Sequence, residues 1–130
     1  MTNKKNIIIF IIIVLAVVIG MRAIQKGIAS SHKYDAFAQC LEKSGAKFYG
    51  AFWCPHCQAQ KRMFGASVEF LPYIECSTPD GSDQLQICKD KEIKSYPTWE
   101  LADGTRLPVE TSSGVSLKTL AEKTGCELPS

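Results

Sequence analysis

The sequence predicts an α/β domain carried behind one apolar N-terminal helix. Three observations carry that reading. Fifteen uncharged residues dense in Ile and Val, 7–21, lie near the start. Beyond residue 34, stretches with helical spacing alternate with short apolar runs, in the order helix, strand, helix, strand, helix, strand, hairpin strand, helix. The apolar run 48–53 leads directly into two cysteines separated by two residues, Cys54-Pro55-His56-Cys57, and a helical pattern follows.

The N-terminal segment divides into a flank, 1–6, a membrane-spanning helix, 7–24, and a polar tether, 25–33. Lys4 and Lys5 precede the span. Arg22 can snorkel to the interface, so the apolar stretch reaches Ile24 and is about 18 residues long, just enough to cross a bilayer. A cleaved signal peptide is the competing reading, because Gly27 and Ala29 form a small-x-small pattern. Arg22 and Lys26 stand where a neutral cleavage region is expected, which favours the uncleaved anchor. A buried core helix is disfavoured, since a segment apolar all round needs a larger core than this domain supplies. Charge does not settle orientation: Lys4, Lys5 and the amino terminus before the span balance Arg22, Lys26 and Lys33 after it. His32 lies in the tether and is assigned no role.

The domain is expected over 34–130. Tyr34, Phe37, Ala38 and Leu41 recur at helical spacing, and Gly45 stops that helix. Residues 47–53 read as a central strand. A helix from Cys54 runs to Phe64, where Gly65 interrupts or ends it; 66–70 is its possible extension. A second strand, 71–76, starts at Pro72, which implies an edge or an irregular start. Residues 77–81 are a turn cluster. Ser82 or Asp83 is expected to cap a helix reaching about Lys91. Residues 93–97 lead into a third strand, 98–101. Asp103-Gly104 signals a hairpin, with 105–110 returning antiparallel. After a loop, 111–114, Ser116 is the expected N-cap of a last helix, 117–123, ended by Gly125.

The two-cysteine motif carries the chemistry. Proline is tolerated at the first helical position, where its missing N–H costs nothing. Cys54 then falls at the N-cap, where unpaired amides and the positive end of the helix dipole favour an anion. The thiolate is the nucleophile of thiol–disulfide exchange, so Cys54 is the expected attacking residue. Cys57, one turn on and more shielded, is close enough to close a disulfide with it. A charged imidazole at His56 would favour the thiolate further, stabilise the reduced pair and make its disulfide more oxidising. Trp53 ends the strand and would form part of the apolar surface around Cys54.

Composition limits the partners and the compartment. A net charge of +2 argues against a nucleic-acid partner. Six cysteines in 130 residues point to an oxidising compartment or a metal site. Disulfides persist outside the cytoplasm, so the domain is expected on the extracytoplasmic face of the membrane. Cys76 and Cys88 are separated by eleven residues across a turn cluster, and Cys40 and Cys126 lie far apart in the chain. These four cysteines allow three pairings, among which the residues alone do not choose.

Trp53-Cys54-Pro55-His56-Cys57 together with Tyr96-Pro97-Thr98 resembles the thioredoxin superfamily. Residues 45–57, then Tyr73-Ile74-Glu75-Cys76-Ser77, then Tyr96-Pro97-Thr98-Trp99, are most similar to the thioredoxin-like domain associated with bacterial vitamin K epoxide reductase homologues. The resemblance covers roughly 34–126. It implies a thioredoxin-like fold without an initial strand, a cis peptide before Pro97, and a substrate segment positioned by Tyr96, Pro97 and Thr98. It implies protein thiols and disulfides as substrates, no cofactor, and a separate vitamin K epoxide reductase-like membrane protein as electron partner. Similar pairs in the related domains favour a structural disulfide Cys76–Cys88, leaving Cys40 and Cys126 as the second pair.

Other uses of these cysteines fit less well. Zinc held by Cys54, Cys57, Cys76 and Cys88 would need a second close pair, which is absent. A copper carrier would not need the Tyr96-Pro97-Thr98 loop. A reductase or isomerase, or a non-catalytic redox-sensing module, remains the alternative function. One departure from the wider family stands out: the strand before the active helix lacks the buried acid that relays a proton to the deeper cysteine, which leaves Glu100 as a weak candidate for that task.

Overall fold

The computed structural model describes the backbone of residues 3–130 and the side chains of 3–22 and 32–130. The first two residues of the flank lie outside the described residues, as do the side chains of Lys26 and Ala29 around the considered cleavage site. The chain divides into two units, Met1–His32 and Lys33–Ser130.

The first unit is a single helix, α1 (Lys4–Ser31), which continues through most of the expected tether. Its Lys4–Arg22 portion is long and apolar enough to cross a membrane, and none of that stretch is buried. Such a helix is an anchor or a signal sequence by length and composition.

The second unit is mixed α/β. Its elements are α2 (Asp35–Lys43), β1 (Lys47–Gly50), α3 (Pro55–Arg62), a 3-10 segment (Gly65–Phe70), β2 (Tyr73–Glu75), α4 (Gln86–Asp90), β3 (Thr98–Glu100), β4 (Arg106–Leu107) and α5 (Leu117–Thr124). One four-stranded sheet runs in the order β2-β1-β3-β4. β1 pairs parallel with β2 and antiparallel with β3, and β3 pairs antiparallel with β4.

Strand alternation sends side chains to two faces. The register places Phe48, Gly50, Tyr73, Glu75, Trp99 and Leu107 on one face and Tyr49, Ile74, Thr98, Glu100 and Arg106 on the other. The first face meets the larger core, where Phe37 and Leu41 of α2, Cys57 of α3, Phe64 and Leu120 of α5 gather around Phe48 and Trp99. The Phe48 and Trp99 rings stack with centroids 4.9 Å apart. The second face packs Tyr49 against Cys76, Cys88 and Ile93.

Two disulfides tie the domain. Cys40 is bonded to Cys126 across 86 residues, and Cys76 to Cys88 across 12. By loop-closure entropy these separations contribute about 4.5 and about 3 kcal/mol.

Four local expectations are corrected. β1 ends at Gly50, not at Trp53; residues 51–53 turn away because the Phe52 amide donates to Glu75 Oε1 rather than to a ladder partner. α3 ends at Arg62, two residues early, and a 3-10 segment follows Gly65, whose φ of 58° breaks the helical path. Leu85, not Ser82 or Asp83, precedes α4. Ser82 is spent on the Asp80 carboxylate, and Asp83 accepts from the Gln84 amide and pairs with Lys89 at 2.7 Å. β4 stops at Leu107, because Pro108 has no N–H to extend the ladder. The Ser116 cap is present, its side chain accepting from the Thr119 amide, and Gly125 ends α5 in the left-handed conformation.

Candidate functional site

The site is built where β1 gives way to α3. Cys54 is the N-cap, with φ −75° and ψ 119°, and Pro55 opens the helix. The turn before it is pinned on both sides. Glu75 accepts from the Phe52 amide, and Gln58 Nε2 donates to the Phe52 carbonyl at 2.8 Å. Cys54 N donates to the Ala51 carbonyl at 3.0 Å. The cysteine is therefore held by contacts from β2 and from within α3.

Cys54 and Cys57 are both free thiols and both buried, at 4% and 1% exposure. The Cys54 Sγ lies 3.7 Å from the carbonyl oxygen of Tyr96. The peptide that follows, Tyr96–Pro97, is cis, and Pro97 is fully buried. Tyr96 is fixed by Gln84, whose Nε2 donates to the Tyr96 hydroxyl at 2.6 Å and to the Ile93 carbonyl at 2.8 Å. Thr98 directs its hydroxyl to the Ser95 carbonyl at 2.8 Å.

Cys57 sits on the floor made by β1. A Cβ at Gly50 would lie 2.9 Å from the Cys57 Sγ and 2.9 Å from the Tyr73 ring, so glycine is what admits the sulfur. Burial pushes the Cys57 thiol up to about 12, and hydrogen bonding with Cys54 adds to the rise, while a backbone hydrogen bond from Ala51 and the Lys61 charge oppose it. At neutral pH Cys57 is a thiol.

Trp53 is half exposed at 51%, yet it is fixed. Its indole N–H donates to Ser77 Oγ at 2.8 Å, and its ring meets the Tyr96 ring edge-on at 6.1 Å. Gly81 faces the indole, where a Cβ would stand 3.6 Å from it. Grooves flank the Tyr96–Pro97 peptide: one of about 270 Å³ between Trp53, Gly81, Gln84 and Tyr96, and one of about 440 Å³ between Lys94, Pro97, Arg106 and Val109.

His56 is exposed and turns toward the 111–114 turn, where its Nδ1 lies 2.5 Å from the Ser112 carbonyl. A carbonyl only accepts, so Nδ1 carries the proton. That turn is also locked from inside. Gln60, fully buried, donates through Nε2 to the Val115 carbonyl at 3.0 Å and accepts at Oε1 from the Val115 amide at 2.7 Å. Gly114, with φ 100°, passes so close that a Cβ would meet Gln60 Oε1 at 2.1 Å and Pro97 at 3.3 Å. α3, the cis-proline loop and this turn thus form one unit.

Glu100 does not serve Cys57. It lies on the opposite face of the sheet from Gly50 and pairs with Arg106 at 3.2 Å and Lys91 at 3.8 Å. Together with burial, its charge raises the Tyr49 hydroxyl, partly offset by Arg106. The Cys76–Cys88 disulfide packs with Tyr49 on that same face, away from the free pair. Among the described residues no group of three or more His, Cys, Asp or Glu side chains could hold a metal ion.

Sequence reasoning missed Gly50, Gln60, Lys61, Tyr73, Glu75, Ser77 and Gly114. Gly50 carried a signal, because glycine inside a strand marks a close approach, and Tyr73, Glu75 and Ser77 lie in a stretch that carries the resemblance but were given no role. The others act through contacts between elements.

No protein-family model matches the chain. A curated relative, thiol-disulfide oxidoreductase LTO1 of Arabidopsis thaliana, is 43% identical over 106 residues, covering 77% of this chain. The chain spans 27% of that protein's length. The chain is thus similar over most of its length to part of a thiol–disulfide oxidoreductase, and it carries a free Cys54/Cys57 pair and two further disulfides.

Proposed function

We propose that the protein is a thioredoxin-like thiol–disulfide oxidoreductase, held to a membrane by α1 with its domain on the extracytoplasmic side. The observation that carries this is the pair itself: Cys54 at the start of α3, free and 3.7 Å from the carbonyl that precedes a cis-proline. The kinship with an oxidoreductase and the sheet order agree with it. The two disulfides fit an oxidising compartment.

Cys54 attacks a substrate disulfide, or its own disulfide is attacked by a substrate thiolate, and a mixed disulfide forms. Where Cys54 was the attacker, Cys57 then attacks the Cys54 sulfur, closes the Cys54–Cys57 bond and releases the substrate thiolate, which takes up a proton. Where the closed pair was attacked, Cys57 leaves as the thiolate and is protonated, and a second substrate thiolate attacks the substrate sulfur of the mixed disulfide, giving oxidised substrate and the reduced pair. Tyr96, Pro97 and Thr98 position an extended substrate segment, with Trp53 and the two flanking grooves receiving its side chains. His56 favours the reduced pair, so the disulfide is an oxidant. A vitamin K epoxide reductase-like membrane protein is the proposed electron partner.

The test is the reduction potential of the Cys54/Cys57 pair in a glutathione redox series, with the other disulfides intact. An oxidant lies well above the thioredoxin value of about −270 mV. A potential at that value describes a membrane-tethered reductase instead. Intact mass of the native protein tests the anchor: retention of α1 is expected, and a chain starting at Ser30 would mark a signal peptide.

A further inference from the structure

Cys57 has to ionise to resolve a mixed disulfide, and its surroundings resist that. The sulfur is sealed at 1% exposure; the backbone beside it offers the space over Gly50 and one hydrogen bond, from Ala51, which favours the thiolate. The titratable groups that act on it are Cys54, at the N-cap of α3, Lys61 in α3 and Tyr73 in β2, with Glu75 acting on Lys61 and Tyr73. Neither carboxylate nor amine was assigned a task by the motif.

These groups form a connected set. Lys61 follows Cys57 by one helical turn, on the same side of α3. Its Nζ stands 3.2 Å from the centroid of the Tyr73 ring. That ring and the Cys57 sulfur both lie over Gly50, each 2.9 Å from the position a Cβ would take. The Tyr73 hydroxyl donates to Glu75 Oε2 at 2.7 Å, and Glu75 Oε1 accepts from the Phe52 and Ser77 amides. The ammonium is thus seated on the face of the ring that shares the space over Gly50 with the sulfur, and its counter-charge is the hydrogen-bond partner of that ring's hydroxyl.

We propose that Lys61, seated on Tyr73 and balanced by Glu75, is the positioning residue that stabilises the Cys57 thiolate during resolution. The assignment rests on the oxidoreductase reading above. Burial depresses the Lys61 ammonium, while Glu75 and the Cys57 thiolate favour it. An ammonium partly removed from water is screened less, so its field acts more strongly on the neighbouring sulfur. Glu75 offsets that charge while Cys57 is a neutral thiol or part of a disulfide. In the step itself, the Cys57 proton passes to solvent and the thiolate attacks Cys54 Sγ. The Cys54–Cys57 bond forms as the bond from Cys54 to the substrate sulfur breaks, and the departing thiolate is reprotonated.

Rapid mixing of the full chain in detergent with oxidised glutathione separates the two steps. The active pair starts reduced, and the structural disulfides stay closed. At low oxidised glutathione the rate rises linearly and reports attack by Cys54. At high concentration it reaches a plateau that reports resolution by Cys57. Lys61→Met is expected to lower the plateau roughly tenfold at neutral pH, the size of effect one nearby opposite charge produces. It should leave the linear slope unchanged and move the plateau's pH profile about one unit upward. Lys61→Arg should restore the plateau, and Lys61→Gln should lower it as Met does. Thermal unfolding confirms that each variant is folded. An unchanged plateau in folded Lys61→Met or Lys61→Gln overturns the assignment. A slope that falls with the plateau also overturns it, because Lys61 would then act on Cys54. Absence of any exchange by the unsubstituted protein removes the oxidoreductase reading, and the assignment with it.

Discussion

Gly50→Ala tests whether the deeper cysteine occupies the place described. The added methyl would lie 2.9 Å from Cys57 Sγ, 2.9 Å from Tyr73 Cε2 and 3.4 Å from Cys57 Cβ. Ordinary contacts between such atoms are about 3.5–4.0 Å, so the overlap is roughly 0.6–1 Å on two sides. Neither neighbour can move freely. The Tyr73 ring carries Lys61 on its face and is tied by its hydroxyl to Glu75, while Cys57 is fixed in α3. Overpacking of this kind costs about 1–3 kcal/mol, and two clashes place it near the upper end. For a domain of about 100 residues, 1 kcal/mol moves Tm by roughly 4–8 °C, so Tm should fall by about 10–20 °C. The displaced sulfur should also slow resolution, lowering the plateau of the glutathione reaction more than its initial slope. Thermal unfolding by circular dichroism, with the exchange assay on the same sample, reads both. An alanine variant with unchanged Tm and unchanged plateau would show that the sulfur does not sit against β1.

Gln60→Leu should cost about 2–4 kcal/mol, because the Val115 amide and carbonyl lose their partners in a buried site; chemical denaturation measures it, and a loss below about 1 kcal/mol would mean that water replaces the amide. Raising the pH should destabilise the reduced protein more than the oxidised one. The Cys57 pKa is raised in the folded state, so the stability linked to it is whole below about 9 and disappears toward about 12, and only the reduced form has that thiol. Tyr49 is also raised and acts alike in both redox forms; Tyr73, raised by burial and Glu75, is raised further by the Cys57 and Cys54 charges, so the difference between the denaturant midpoints of the two forms reports the reduced pair together with its coupling to Tyr73. Brief alkylation of the reduced protein near pH 8 should label Cys54 and spare Cys57, of which about one part in 10⁴ is thiolate there; peptide mapping that finds Cys57 labelled first would reverse their roles. His56→Val should make the potential of the pair more negative by several tens of millivolts, where about 30 mV corresponds to 1.4 kcal/mol, and an unchanged potential would deny His56 a tuning role.

Local signals in the sequence determined the elements wherever a residue's own neighbours could satisfy it. Pro55 can only open a helix, so Cys54 falls at its N-cap. Ser116 caps the amides three residues ahead, and Gly45 and Gly125 end helices in a conformation other residues avoid. The motif itself, and an α/β order behind one apolar helix, needed nothing further. The end of β1 was not legible, because 48–53 is apolar throughout and the turn at Phe52 is made by Glu75, distant in the chain. The surroundings of Cys57 were not legible either. Which strand faces bear Glu75 and Glu100 depends on the parallel register of β1 with β2 and the antiparallel register with β3. A shift of one residue would exchange the two faces. Packing of the whole sheet against its helices decides that register, and with it that Tyr73 and Glu75 share the sheet face of Gly50, over which the Cys57 sulfur lies, while Glu100 is on the other face.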